Sequence, residues 1–159
     1  IQELSRGMKV KFALALAMSH HAEFLIMDEP SSGLDLLTRA QILESLREYM
    51  EREGRGVFFS THIATDIEKV ADIVILIEKG RIVFQKEKDI LMEEYRITKG
   101  DSRDLSPEAE ELCINLRKTK YGFTGVTNKV EEMRHLVPDV LFEKPDMEEI
   151  LMSCMGKES

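Results

Sequence analysis

The feature that most constrains the fold is a short run, Phe24-Leu25-Ile26-Met27, that is apolar throughout and ends on the carboxylate of Asp28. Unbroken apolar character over so few residues marks a central parallel strand buried on both faces, because a strand with one wet face alternates. Two further runs repeat the pattern, Gly56-Val57-Phe58-Phe59-Ser60 and Ile73-Val74-Ile75-Leu76-Ile77. Helix-like segments separate them. Thr38 to Glu53 carries Ile42, Leu43, Leu46, Tyr49 and Met50 at the spacing of one helical face, with Gly54 placed to end it, and Thr65 to Val70 makes a short helix. Ser5 to about Met18 is a helix rich in Ala and Leu whose apolar positions surround most of the cylinder. That predicts a buried helix with Lys9 and Lys11 near its exposed start. Alternating strands and helices imply right-handed crossovers, hence an α/β fold with a parallel sheet flanked by helices. Ligands gather at the carboxyl ends of the strands in such sheets, where Asp28 and His62 both fall.

Lys79-Gly80 links the third strand to Arg81–Gln85 as a hairpin. From about Glu87 the units become shorter and more polar: Tyr95–Lys99, Ser106–Leu116, Tyr121–Thr124, Asn128–Val137, Val140–Glu143 and Asp146–Cys154. This tail is expected to form a separate small α+β unit, so the domains are set at 1–93 and 94–159. Ser106-Pro107 is a helix start with Ser as cap and Pro in the first turn, and Asp146 with Glu149 resembles a capping box. Met147, Ile150, Leu151 and Cys154 lie along one face of the last helix, a core face or a partner-binding one.

At 159 residues and 43% apolar the chain can bury a real core. The apolar stretch Val10–Met18, interrupted by Lys11, is far short of the roughly 18 residues a membrane span needs. A net charge of -8 and the lack of a dense basic run argue against nucleic acid as a partner. Cys113 and Cys154 stand alone, without zinc-site or disulfide spacing, and are expected to be reduced thiols. The chain opens on Ile1 without an initiator Met and is expected to be part of a longer protein.

Three short patterns carry candidate chemistry. Ser5-Arg6-Gly7-Met8 puts a hydroxyl and a small residue at a helix start, where free N–H groups favour phosphate, although Ser caps and Gly begin many helices. Asp28-Glu29-Pro30 places two carboxylates at a strand end. Asp28 suits magnesium and Glu29 suits a general base, while a solvated turn would read the same way. His62, in Ser60-Thr61-His62, can sense a phosphate from the sheet edge or be an ordinary polar loop residue. His20 and His21 precede the strand at its opposite end and receive no role.

Order and conjunction decide between these readings. Leu4-Ser5-Arg6-Gly7-Met8, then Phe24 to Pro30, then Ser31-Ser32-Gly33-Leu34-Asp35, then Ser60-Thr61-His62 resembles the second half of the ATP-binding cassette (ABC) ATPases, and Ile73 to Gln85 looks like the end of their nucleotide-binding domain. The resemblance implies a P-loop NTPase fold and an ATP-hydrolysing subunit of a bacterial transporter, with ATP and Mg2+ as cofactors. Ser5 and Gly7 would touch the γ-phosphate of ATP held mainly by an opposing subunit. Asp28 would be the magnesium carboxylate, Glu29 would polarise the attacking water, Asp35 would couple the two sites across a dimer, and His62 would hold the γ-phosphate. Phosphoryl transfer depends on such positioning and charge stabilisation.

Arg6 and Met8 stand where the commonest family version has Gly and Gln, a variant similar to that of ABC-2 type exporters, and Glu143-Lys144-Pro145 to Ile150 resembles the closing motif of the same subunits. The implied partners are a second ATPase subunit and transmembrane permease subunits, and the implied location is the cytoplasmic face of the membrane. No G-x-x-x-x-G-K-[ST] phosphate loop occurs in the 159 residues, so this chain alone is expected to be inactive. The alternatives are a soluble ABC ATPase without a membrane partner and an inactive interaction or dimerisation module.

Overall fold

The computed structural model describes residues 4–155, and the chain divides into two compact units, Ile1–Ala71 and Asp72–Ser159.

In the first unit, α1 (Arg6–Ser19), β1 (Phe24–Asp28), α2 (Leu36–Met50), β2 (Gly56–Ser60) and α3 (Ala64–Val70) follow in chain order. The strands β1 and β2 are parallel and in register from Phe24 against Gly56 to Asp28 against Ser60, with α2 as the crossover between them. Their inward residues, Leu25, Met27, Val57 and Phe59, join Leu14 of α1, Ile42, Leu43, Leu46 and Tyr49 of α2, and Val70 of α3 in one core. The periodic positions of α2 are therefore its buried face. Its ring partner is ordered too: the Tyr49 hydroxyl donates to the Ala22 carbonyl, and the Arg55 guanidinium lies 4.8 Å from the Tyr49 ring.

Two expectations need correction. The strands are packed on one face only: Phe24, Ile26 and Phe58 point away from the core, and Ile26 is 77% exposed. Helix α1 is likewise not enclosed, since only Leu14 is buried while Met8, Phe12 and Leu16, each four residues apart, form an exposed apolar stripe. The continuous apolar pattern is present in the sequence, but the described residues of this unit supply covering side chains for one side of each element.

The second unit begins with the hairpin β3 (Ile73–Glu78) and β4 (Arg81–Glu87). Lys79 and Gly80 both have positive φ, 48° and 77°, the conformation that matches a two-residue turn to the strand twist. The third apolar run was expected in the parallel sheet, yet β3 pairs only antiparallel with β4 in a separate two-stranded sheet. A hairpin partner immediately downstream satisfies its hydrogen bonds locally.

After α4 (Lys88–Glu94) come β5 (Arg96–Gly100), α5 (Pro107–Glu111), β6 (Ile114–Lys118), β7 (Phe123–Thr127), α6 (Val130–Leu136), β8 (Leu141–Glu143) and α7 (Met147–Cys154). The four strands form an antiparallel sheet in the order β6-β7-β5-β8. Ser106 caps α5 with Pro107 in its first turn, and the segment expected to run on to Leu116 turns instead into β6. Asp146 and Glu149 close the capping box of α7, whose Met147, Ile150 and Cys154 are buried. Leu105, Ala109, Phe123, Met133, Val137 and Val140 form a core cluster within this second unit, which begins at Asp72.

Candidate functional site

Every site residue expected from the sequence lies in the first unit. At the start of α1 the Ser5 hydroxyl accepts the Met8 N–H at 3.2 Å, leaving its own O–H free to donate. At Gly7 a Cβ would stand 2.8 Å from Cγ2 of Thr38, in the first turn of α2, so a larger residue would force one of the two to shift. Gly33 has φ +66°, and its open face holds the Arg6 guanidinium, 2.6 Å from where a Cβ would be. The loop before α2 and the start of α1 are therefore fitted to one another through Arg6–Gly33 and Gly7–Thr38.

Asp35 caps α2, accepting the Thr38 N–H at 2.9 Å. The Thr38 backbone bond and then its side chain hold the Asp35 carboxyl below its ordinary value of 3.8. A lowered carboxylate pKa stabilises the fold above the unfolded value, and that contribution is lost as pH falls through the folded value. Replacing Asp35 by Asn keeps a capping side chain but removes the titration. The expected result is a shallower fall of the unfolding midpoint below pH 4 than in the unmodified protein, followed by circular dichroism; parallel curves would show that Asp35 makes no contribution there.

The carboxyl end of the parallel pair holds the remaining residues. Asp28 accepts the Ser60 hydroxyl across the register pair. The next residue, Glu29, has φ +49°, a left-handed conformation uncommon outside glycine and often found at functional sites. Its N–H donates to the Ser60 carbonyl at 3.1 Å and lies 3.2 Å from the Ser60 hydroxyl, so β2 holds the bend. The bend turns the Glu29 side chain towards His62, and Oε1 meets His62 Nδ1 at 2.8 Å. Glu29 Oε2 is buried and has no hydrogen-bond partner, although the side chain as a whole is 34% exposed. A buried, unsatisfied carboxylate oxygen is costly, which marks this atom as the place for a water or ligand donor.

The structure thus joins Glu29 to His62 and Asp28 to Ser60, while Ser5 and Asp35 hydrogen-bond within their own helix starts. Sequence reasoning assigned no role to Ser60, Ser31, Thr38, Arg39 or Asp66. Ser60 was readable as the residue opposite Asp28 once the two strands were paired in register; Asp66 carries no local signal, because a carboxylate in a first helical turn is ordinary. Among the described residues no group of three or more His, Cys, Asp and Glu side chains converges as a metal cage. Magnesium keeps waters and substrate phosphates in its shell and is bound through one or two protein carboxylates. Asp28 supplies such a hard oxygen donor.

Comparison with known proteins shows what this geometry is similar to. The Nod factor export ATP-binding protein I of Rhizobium johnstonii is 31% identical over 170 aligned residues, covering 99% of this chain and 54% of that protein. The ABC transporter ATP-binding protein NatA of Bacillus subtilis is 33% identical over 92 residues, covering 58% and 37%. The chain is thus similar, over nearly its whole length, to ABC transporter ATP-binding proteins.

A further ABC relative, the energy-coupling factor transporter ATP-binding protein EcfA2 of Lactobacillus johnsonii, is 29% identical over 92% of this chain and 50% of its own length. A family model described as "AAA domain, putative AbiEii toxin, Type IV TA system" matches residues 1–65. In fold the chain is similar to a solved structure, "An inward-facing conformation of a putative metal-chelate type ABC transporter", with a TM-score of 0.53 and 21% identity over 79% of this chain and 48% of that one. The α/β fold read from the strand–helix alternation is therefore the ABC ATPase fold. The chain spans about half the length of the first curated relatives it matches.

Proposed function

We propose that this chain is the C-terminal part of an ATP-hydrolysing subunit of a bacterial ABC exporter. The observation that carries the reading is the Glu29–His62 pair: a carboxylate at the carboxyl end of a parallel strand, with one oxygen on the imidazole at 2.8 Å and the other buried and unpartnered. An attacking water needs a polarising acceptor, and Glu29 Oε2 is an acceptor whose capacity is unused. His62 Nδ1 is engaged by Glu29, which leaves Nε2 as the ring atom to hydrogen-bond a γ-phosphate oxygen. The chemistry needs no covalent intermediate, so a positioned base and charge-stabilising donors suffice.

Around this pair, Asp28 would hold a magnesium ion, which when bound neutralises charge on the phosphates. Ser60 orients the Asp28 carboxylate by its hydroxyl bond. Ser5 and Gly7, at the start of α1, would meet the γ-phosphate of ATP held by a second subunit, and Asp35 would couple the two sites. Permease subunits would convert the opening and closing of the ATPase dimer into export, with the subunit on the cytoplasmic face of the membrane. The nucleotide-binding domain would run to residue 93, with 94–159 as an accessory unit. The export assignment leans on the Arg6 and Met8 variant and on the Nod factor export relatives.

The test is purification of the intact protein from membranes. Co-purification with an integral membrane protein and magnesium-dependent ATPase activity support the proposal; co-purification with ribosomes or DNA and no membrane protein would favour the soluble ABC alternative. One observation favours a second reading for the 159-residue chain taken alone: it holds no phosphate-binding loop. Its expected behaviour is that of an inactive module, with no micromolar ATP binding by isothermal titration, because that loop supplies the backbone donors for the phosphates. Micromolar binding by this chain would overturn that reading.

A further inference from the structure

Among the described residues Asp66 is the one charged side chain that is buried, with none of its surface exposed. A carboxylate in that position is costly unless counter-charge and hydrogen bonds satisfy it, and here both oxygens are satisfied. Oδ1 accepts Nε of Arg39 at 2.6 Å and Nη2 at 2.5 Å, and Oδ2 accepts the hydroxyl of Ser31, itself buried. Arg39 Nη2 also donates to the Thr65 hydroxyl at 2.6 Å.

The partners come from three segments, and each segment carries a residue of the proposed site. Ser31 lies two residues beyond Glu29, in a turn closed by the Ser32 N–H on the Glu29 carbonyl at 3.2 Å. Arg39 lies one helical turn beyond Asp35, and its N–H donates to the Asp35 carbonyl at 2.9 Å. Asp66 stands in the first turn of α3, four residues beyond His62, with its N–H on the Ile63 carbonyl at 3.0 Å. A single buried carboxylate therefore ties together the stretches that bear Glu29, Asp35 and His62.

We propose that Asp66, acting through Ser31 and Arg39, is a positioning residue that sets the Glu29–His62 geometry for ATP hydrolysis, an inference that rests on the ATPase reading above. The strained Glu29 backbone gives the clamp its purpose. A non-glycine residue at φ +49° persists only where its surroundings over-determine it. Ser60 holds the bend from the strand side, and the Ser31–Asp66 bond holds it from the loop side. Releasing the loop side lets Glu29 relax towards an ordinary conformation and moves Oε2 away from the place where a water would be polarised. Helix packing has no comparable need for Ser31 and Asp66, since the core of this unit is apolar and continuous without them.

The test uses the full-length protein with Asp66→Asn, the milder Ser31→Ala, and the double variant, all assayed well below their unfolding midpoints. Misplacement of a catalytic group by about 1 Å can cost a hundredfold, so kcat is expected to fall about 10- to 100-fold in each single variant. ATP affinity, read with a fluorescent nucleotide analogue, is expected to stay within about twofold, since uniform binding is not what the clamp supplies. The double variant should be no worse than the poorer single one, because the two residues share one bond. A lowered unfolding midpoint with unchanged kcat would reduce Asp66 to a stabilising residue and overturn the proposal. Amide hydrogen exchange without nucleotide gives a readout independent of activity: residues 29–35 should exchange faster in both variants while Leu25, Ile26 and Met27 do not. Unmodified protein lacking ATPase activity would sink the enzyme reading alone, and the exchange result would still decide the clamp, with uniform or absent change counting against it.

Discussion

In the full-length protein, Glu29→Gln is expected to lower the magnesium-dependent ATPase rate by about 100- to 1,000-fold, within the range that loss of a general base produces. The substitution keeps the size of the side chain and one carbonyl oxygen, so the hydrogen bond to His62 can survive in a neutral form. What it removes is the anionic acceptor at Oε2, the atom that is buried and unpartnered. ATP binding should persist, because in the proposed function Glu29 acts on water and does not anchor the nucleotide. Two subunits would then close on ATP and fail to reopen, so light scattering should show an ATP-dependent dimer in the variant that the unmodified protein holds only transiently. A variant retaining a third or more of the normal rate would remove Glu29 from the role of base. His62→Ala should be damaging for a different reason, since it takes away both the partner of Oε1 and the donor proposed for the γ-phosphate.

The sequence made some of this legible and withheld the rest for physical reasons. Helix α2 was readable because Ile42, Leu43, Leu46 and Tyr49 repeat at helical spacing, and all four are buried. The caps at Ser106 and Asp146 were readable because capping is a local interaction between residues three apart. The strand–helix–strand order fixed β1 and β2 as a parallel pair, and the family pattern placed Asp28, Glu29 and His62 along their shared edge. The contact between Glu29 and His62 was not readable from spacing, since it joins residues 33 apart through a left-handed backbone bend. Asp66 was invisible for a similar reason: its partners Ser31 and Arg39 lie 35 and 27 residues away, and a polar residue in a short helix gives no sign of burial. Burial on both faces was over-read, because an apolar run records what a strand is built to meet and not which of its neighbours a given stretch of chain contains.

That last distinction leads to the other large expected effect. Leu46 is fully buried in the core of the first unit, and truncation of such a side chain to Ala costs about 3–5 kcal/mol through lost transfer energy and the cavity left behind. At roughly 0.1 kcal/mol per residue, a unit of this size has a total stability of the same order. Leu46→Ala is therefore expected to remove about half of that stability, seen as a urea unfolding midpoint lowered to roughly half that of the unmodified protein. Ile26→Ala makes the informative contrast, because Ile26 belongs to the same sheet but is 77% exposed. In the 159-residue chain its cost should be within about 0.5 kcal/mol, as for other surface positions. The exposed set of Phe24, Ile26 and Phe58 also invites association, so the isolated chain should self-associate in light scattering and Ile26→Asp should reduce it. In a full-length protein, where further chain can cover the outer face of β1 and β2, Ile26→Ala should instead cost about 2 kcal/mol or more, as a buried apolar position does. Equal small effects in both contexts would mean that this face stays open to solvent, and would contradict the placing of β1 and β2 inside a complete nucleotide-binding domain.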